Sequence, residues 1–246
     1  MIRFILCVIV VVGFLILSIP ILFVEWIIGK FNPMAKEISS LRIVQAVFRF
    51  ILWISGVKLT VIGEENVPTD VPVLYIGNHR SFFDVPITYP RCPISTGYIA
   101  KKEMEKVPLL STWMKRLHCL FLDRNDLKQG LKTILTAIEK VKSGISICIF
   151  PEGTRTPGDD MLEFKEGSFK IAEKSGCLII PVAITNTENV FENHIPFIKA
   201  STVVIEFGDP IDLKAMPKEE RRHIGSQVQS IIGGMLKENS LANVES

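Results

Sequence analysis

The chain has 246 residues, room for one large domain or two small ones. Hydrophobic residues make up 48% of it against 22% charged, a high apolar share for a soluble protein. A net charge of +2 gives no basic excess to suggest nucleic acid as a partner, and five isolated cysteines without a CxxC pair argue against a disulfide framework or a zinc site.

Residues 4–24 carry no charge, with Arg3 before them and Glu25 after. At about 1.5 Å per residue, a helix of that length matches the roughly 30 Å hydrocarbon core of a bilayer. The stretch is long for a cleaved signal, and no small-residue cleavage site precedes Phe23, Trp26 and Ile27, so an uncleaved anchor is expected. Lys30, Lys36, Arg42, Arg49 and Lys58 then outnumber Glu25 and Glu37, which places the bulk of the chain on the cytoplasmic side.

Residues 38–55 have a helical pattern. Leu41, Val44, Phe48, Ile51 and Leu52 share one face, and Arg42, Gln45 and Arg49 share another. Both a basic helix in the headgroup layer and an ordinary packing helix fit this pattern. With the anchor it would make a membrane-associated two-helix segment over residues 1–57.

Residues 58–246 read differently. Short apolar runs at 59–62, 73–76, 98–100, 119–122, 145–150, 178–184 and 203–207 are mostly continuous, as in strands buried on both faces. Helical patterns lie between them. Leu127, Leu131, Ile134, Leu135, Ile138 and Val141 form one, closed by Gly144. Pro217 opens another, with Ile224, Val228, Ile231, Ile232 and Met235 on one face. Alternating strands and helices predict an α/β domain with a mostly parallel sheet of about seven strands, flanked by helices.

Within it, Tyr75-Ile76-Gly77-Asn78-His79-Arg80-Ser81-Phe82-Phe83-Asp84 runs from an apolar strand into a helix start, with Ser81 as cap and Asp84 in the first turn. On a regular helix His79 and Asp84 would lie about 140° apart and could not touch. With His79 in the turn before the helix, its ring can fold back toward the carboxylate. That contact would fix the tautomer and leave the other ring nitrogen free to take a proton. A capping acid beside an ordinary turn histidine is the alternative.

Three more strands end in cations. Phe150-Pro151-Glu152-Gly153-Thr154-Arg155 follows the most apolar run, Phe121-Leu122 precedes Asp123-Arg124, and Tyr98-Ile99-Ala100 precedes Lys101-Lys102. In a parallel sheet these ends share one rim, so the cations would gather near His79 and suit an anionic substrate whose hydroxyl is to be deprotonated.

The stretch Asn78-His79-Arg80-Ser81-Phe82-Phe83-Asp84 resembles the HX4D block of the glycerolipid acyltransferases, in particular those acting on 1-acylglycerol 3-phosphate. Phe121-Leu122-Asp123-Arg124, Phe150 through Arg155, and Ile180-Pro181-Val182-Ala183 resemble the family's other blocks in the same order. Lys101-Lys102-Glu103-Met104 and Phe164-Lys165-Glu166-Gly167-Ser168 resemble two lesser segments, with Met104 and Ser168 as departures. The resemblance covers residues 63–185.

It implies that His79 is a general base for the 2-hydroxyl of lysophosphatidate and that Asp84 orients it. It also implies that Lys101, Arg124 and Arg155 meet the substrate phosphate, with Glu152, Gly153 and Thr154 shaping the pocket. The acyl donor would be a thioester, acyl-CoA or acyl carrier protein, used as co-substrate with no further cofactor and no metal. Backbone N–H groups of the turn after His79 are expected to hold the thioester oxyanion. Other acceptors, such as glycerol 3-phosphate or another lysophospholipid, remain open. An esterase is disfavoured because no GxSxG elbow occurs.

Overall fold

The computed structural model describes residues 1–156 and 160–244, so the 58–246 unit lacks only 157–159 and its last two residues. Helix α1 (Ile2–Phe31) and helix α2 (Pro33–Ser55) form an antiparallel pair turning on Asn32. The Asn32 side chain accepts the N–H of Ala35 at 3.0 Å, and Pro33 takes the first helical position, where no N–H is needed. With this Asn-Pro cap at Asn32 the stretch between the two patterns is helical, so both helices are longer than their patterns predicted.

Each helix is long and apolar enough to cross a membrane. Yet α1 lies along the domain. Phe4 stacks on Phe191 with centroids 5.7 Å apart, Trp113 donates to Ser18 Oγ at 2.8 Å, and Arg116 pairs with Glu25 at 2.7 Å. The opposite face of α1, with Ile9, Leu17 and Phe31, is exposed. Of the polar stripe of α2 only Gln45 is buried: it donates to the Cys92 carbonyl at 2.8 Å, while Arg42 and Arg49 are exposed, Arg49 reaching back to the Pro90 carbonyl at 3.2 Å. Thus α2 packs on the domain, and its exposed side carries Ile38, Phe50 and Trp53.

Among the described residues seven strands form one sheet: β1 (Lys58–Ile62), β2 (Val73–Gly77), β3 (Thr96–Lys101), β4 (Leu120–Leu122), β5 (Ser146–Ile149), β6 (Leu178–Thr185) and β7 (Thr202–Phe207). Their order is β1-β7-β6-β2-β5-β3-β4. Strands β2 to β6 run parallel, while β7 is antiparallel to β6 and carries β1 parallel to itself. Strands β2 and β5 are buried throughout, as continuous apolar runs require.

One face packs on α1, α2, α3 (Asp84–Thr88) and α4 (Leu110–Arg116); Tyr75 and Tyr98 point into that core. The other face, with Leu74 and Ile76, packs on α5 (Leu127–Lys142), α6 (Lys170–Ser175) and α8 (Ile224–Val244). The buried stripe of α5 is Thr133, Ala137, Ile138 and Val141, whereas Leu127, Leu131 and Leu135 are exposed. Strand β4 is the sheet's edge, so no further strand extends the sheet under these leucines. The expected last helix is broken: α7 (Lys218–Arg221) precedes α8, and Ile231 faces solvent while Ile224, Val228 and Ile232 are buried.

All five cysteines are free. Burial pushes the Cys92 thiol up to about 11, so it packs as an inert apolar group.

Candidate active site

Because β2 to β6 are parallel, their carboxyl ends share one rim, and β2 delivers the chain to it at Gly77. A Cβ there would lie 3.1 Å from the Phe150 ring, so glycine lets the two strand ends approach. Asn78, buried, then continues the ladder with its side chain. Its Oδ1 accepts the N–H of Ile184 at 2.8 Å, and its Nδ2 donates to the carbonyl of the same residue at 2.9 Å. The turn beyond is therefore bolted to β6 before the histidine is reached.

His79 Nδ1 lies 2.7 Å from Asp84 Oδ2. The same oxygen accepts the backbone N–H groups of Arg80 and Ser81, each at 2.8 Å. The Asp84 side chain is fully buried, while that of His79 keeps 20% exposure. The imidazole stacks on Phe150, centroids 4.4 Å apart and planes 11° from parallel. Among the described residues no group bonds the second ring nitrogen, Nε2. A base held by one nitrogen and open at the other is thereby assembled.

The helix expected from Ser81 begins instead at Asp84. Half of the capping box still forms around a turn: Ser81 donates its N–H to the Asp84 carboxylate, but its hydroxyl oxygen accepts the Phe83 N–H at 3.0 Å rather than that of Asp84, which bonds the Ser81 carbonyl at 3.3 Å instead.

Glu152, also buried, does more than shape a pocket. Its Oε1 accepts the N–H of His79 at 2.7 Å, and its Oε2 accepts the Thr156 hydroxyl at 2.5 Å and the Leu162 N–H at 3.0 Å. The carbonyl of His79 in turn accepts the N–H of Thr156 at 2.9 Å. Gly153 has φ +74°, and a Cβ on it would press the Lys165 ammonium at 2.9 Å. Thr154 is exposed at the tip of the turn.

Arg155 returns toward the histidine turn. Its guanidinium lies 3.4 Å from the centroid of the Phe82 ring, and its Nη1 is 3.5 Å from Glu192 Oε1. Lys101 and Arg124 lie on the same rim but farther out. With strands about 4.8 Å apart, the end of β4 is roughly 14 Å from that of β2. Lys101 pairs with Glu103 at 3.0 Å, and Arg124 is exposed. The structure thus brings His79, Asp84, Glu152 and Arg155 together and leaves Lys101 and Arg124 outside their contacts.

One expectation is overturned. Every N–H from His79 to Asp84 already has an acceptor: Glu152 for His79, Asp84 for Arg80 and Ser81, Glu192 for Phe82, and Ser81 for Phe83 and Asp84. This turn holds no spare donor for an oxyanion.

Three contributors escaped the sequence reading. Asn78 lies within the HX4D-like stretch, where a polar side chain directly after a buried strand was the available signal. Glu188, 3.4 Å from Arg80, and Glu192 lie more than a hundred residues from the turn in an irregular segment, and nothing local marks them.

An α/β sheet whose rim carries a His–Asp pair, with the carboxylate buried and the imidazole partly exposed, beside a partly exposed arginine has the groups that general-base transfer to an anionic acceptor requires. The family model described as Acyltransferase matches residues 58–185, and the chain belongs to this acyltransferase family. It is 31% identical over 193 residues to the 1-acyl-sn-glycerol-3-phosphate acyltransferase of Borreliella burgdorferi, covering 78% of this chain and 77% of that protein. To the protein of the same name from Saccharomyces cerevisiae it is 28% identical over 186 residues, covering 74% of this chain and 61% of that protein. The crystal structure of the 1-acyl-sn-glycerophosphate acyltransferase PlsC from Thermotoga maritima has the same fold, with a TM-score of 0.85 over 97% of this chain and 95% of that one, at 23% identity.

Proposed function

We propose that the chain transfers an acyl group from a thioester, acyl-CoA or acyl carrier protein, to the 2-hydroxyl of 1-acylglycerol 3-phosphate, giving phosphatidate. The observation that carries this reading is the 2.7 Å contact between His79 Nδ1 and the buried Asp84, with Nε2 unbonded among the described residues. The names of the relatives supply the acceptor.

In this scheme Nε2 takes the proton of the 2-hydroxyl as its oxygen attacks the thioester carbon. The tetrahedral intermediate collapses, the C–S bond breaks, and the departing thiolate takes the proton back from the imidazolium. Asp84 holds the tautomer and supports the positive charge during the cycle. A positioned base contributes about 10²–10⁴-fold, and orientation of the two substrates contributes more. Thioesters are already activated, so no enzyme nucleophile is required. Arg155 offers forked donors to the acceptor phosphate; Lys101 and Arg124 add long-range attraction from the same rim.

The chain works at a membrane surface with its catalytic part on the cytoplasmic face. The exposed apolar sides of α1 and α2 support the first statement, and the cationic excess after the anchor supports the second. Phe4, in the first turn of α1, stacks on Phe191, which in turn meets Phe82 with centroids 6.2 Å apart. The lipid-facing helix therefore begins two ring contacts from the histidine turn, and the acceptor's acyl chain can stay in the bilayer while its headgroup reacts.

The test is phosphatidate formation by the purified protein from lysophosphatidate and acyl-CoA, beside His79→Ala. The unaltered protein is expected to form phosphatidate and the variant to lose about 10²-fold or more. A variant retaining a tenth of the rate would remove His79 as base. Free glycerol 3-phosphate outcompeting lysophosphatidate would reassign the acceptor.

A further inference from the structure

Glu192 belongs to the irregular segment between β6 and β7, outside every motif block, yet it makes three contacts at the rim. Its Oε2 accepts the Ser81 hydroxyl at 2.5 Å, and its Oε1 accepts the Phe82 N–H at 2.7 Å. The same Oε1 stands 3.5 Å from Arg155 Nη1. The neighbouring Phe191, packed between Phe4 and Phe82, holds the segment in place.

These contacts differ in kind. The bonds to Ser81 and Phe82 have the short lengths of charge-assisted hydrogen bonds, about 2.5–2.9 Å. The approach to Arg155 is too long for one, and the guanidinium rests mainly on the face of Phe82. Glu192 is thus committed to the turn and only loosely to the arginine. Arg155 Nη1 is buried, but the side chain is 35% exposed, so a phosphate can take its remaining donors without displacing Glu192 from its other partners. It must then sit beside a carboxylate that is already in place.

We infer that Glu192 is a positioning residue with two separable actions: its hydrogen bonds fix the turn carrying His79, and its charge opposes the acceptor's phosphate at Arg155, keeping acceptor and product from being held too tightly. The inference rests on the acceptor assignment made above and adds a residue that tunes the same pocket. At partly screened separations of a few ångströms, one like charge changes anion affinity by about three- to tenfold.

The two actions come apart in two variants. Glu192→Gln removes the charge but keeps an oxygen able to accept the Phe82 N–H; Glu192→Ala removes both charge and acceptor. Inorganic phosphate, read as a competitive inhibitor against lysophosphatidate, reports the charge alone. Both variants are expected to bind phosphate about three- to tenfold more tightly, and Glu192→Gln to show a KM for lysophosphatidate lower by a similar factor. The kcat should fall by about tenfold or more in Glu192→Ala and by clearly less in Glu192→Gln. Phosphate inhibition and KM within twofold of the unaltered protein would overturn the inference, and Glu192→Gln alone decides this if Glu192→Ala does not fold. An unaltered protein that makes no phosphatidate refutes the acceptor assignment and this inference with it; an active one with unchanged phosphate affinity in the variants refutes only the role of Glu192.

Discussion

Glu152 holds His79 by its backbone rather than its ring, with Oε1 accepting the histidine N–H at 2.7 Å while Asp84 takes the imidazole at the same distance. Two buried carboxylates from different strand ends thus fix one residue, one setting where its backbone lies and the other how its ring is turned. The division follows from the sheet order, which places β5 directly beside β2.

Glu152→Gln should therefore damage the site without touching the imidazole. The carboxylate accepts three donors through its two oxygens. An amide in its place must turn its NH₂ toward either the His79 N–H or the Leu162 N–H, setting donor against donor in a buried setting. A loss of about 1–3 kcal/mol in stability is expected, together with a fall in kcat. Urea midpoints measured beside initial rates check both, and an unchanged midpoint would show that the turn is not held by this clamp.

Asp84→Asn separates charge from geometry. An amide oxygen can stay where Oδ2 is, still accepting from Arg80 and Ser81, because Asp84 Oδ1 is buried with no hydrogen-bond partner and leaves the NH₂ a place that opposes no donor. The fold should survive while the imidazolium loses its counter-charge. The expected result is a kcat lower by about 10²-fold or more at an almost unchanged melting temperature. Full activity in the amide variant would reduce Asp84 to a capping acid, the bland alternative for this pair.

The layout of the sheet was legible because its strands are buried on both faces and read as continuous apolar runs, which need no alternation to be seen. The His79–Asp84 contact was legible too, since a spacing that forbids contact on a helix permits it across a turn. Partners supplied from afar were not. Asn78 bonds Ile184 and Ser81 bonds Glu192 across more than a hundred residues, and no local pattern encodes such a pairing. The leucines of α5 marked the helix but not its buried face, because a helical stripe reports only what could be buried. Whether Leu127, Leu131 and Leu135 are covered depends on what lies past the sheet edge.

Arg155→Ala tests the phosphate assignment. Removing a charged forked donor costs about 1.5–3 kcal/mol of binding, so the KM for lysophosphatidate should rise by roughly tenfold or more, with a smaller effect on kcat. The substitution also uncovers the face of Phe82. A melting curve run in parallel distinguishes lost binding from a loosened turn. An unchanged KM for lysophosphatidate would take Arg155 out of the acceptor site.

At the opposite end of the sheet His118 offers a test that does not involve catalysis. It precedes β4 with φ +60°, its Nδ1 3.3 Å from the Lys140 ammonium of α5 and its Nε2 3.5 Å from the Glu37 carboxylate of α2. Burial, and after it the positive charge of Lys140, hold the imidazole below its ordinary value of 6.5, with Glu37 pulling the other way. A base depressed in the folded state is protonated first in the unfolded chain. As pH falls below about 6.5 the unfolded chain therefore binds more protons, and stability drops until the folded-state value is passed; above 6.5 the group contributes no slope. His118→Asn removes the titration, and asparagine tolerates the left-handed backbone. The drop in urea midpoint from pH 7 to pH 5 should be smaller in His118→Asn than in the unaltered protein. Equal drops would mean that His118 takes up its proton as readily in the folded chain as in the unfolded one.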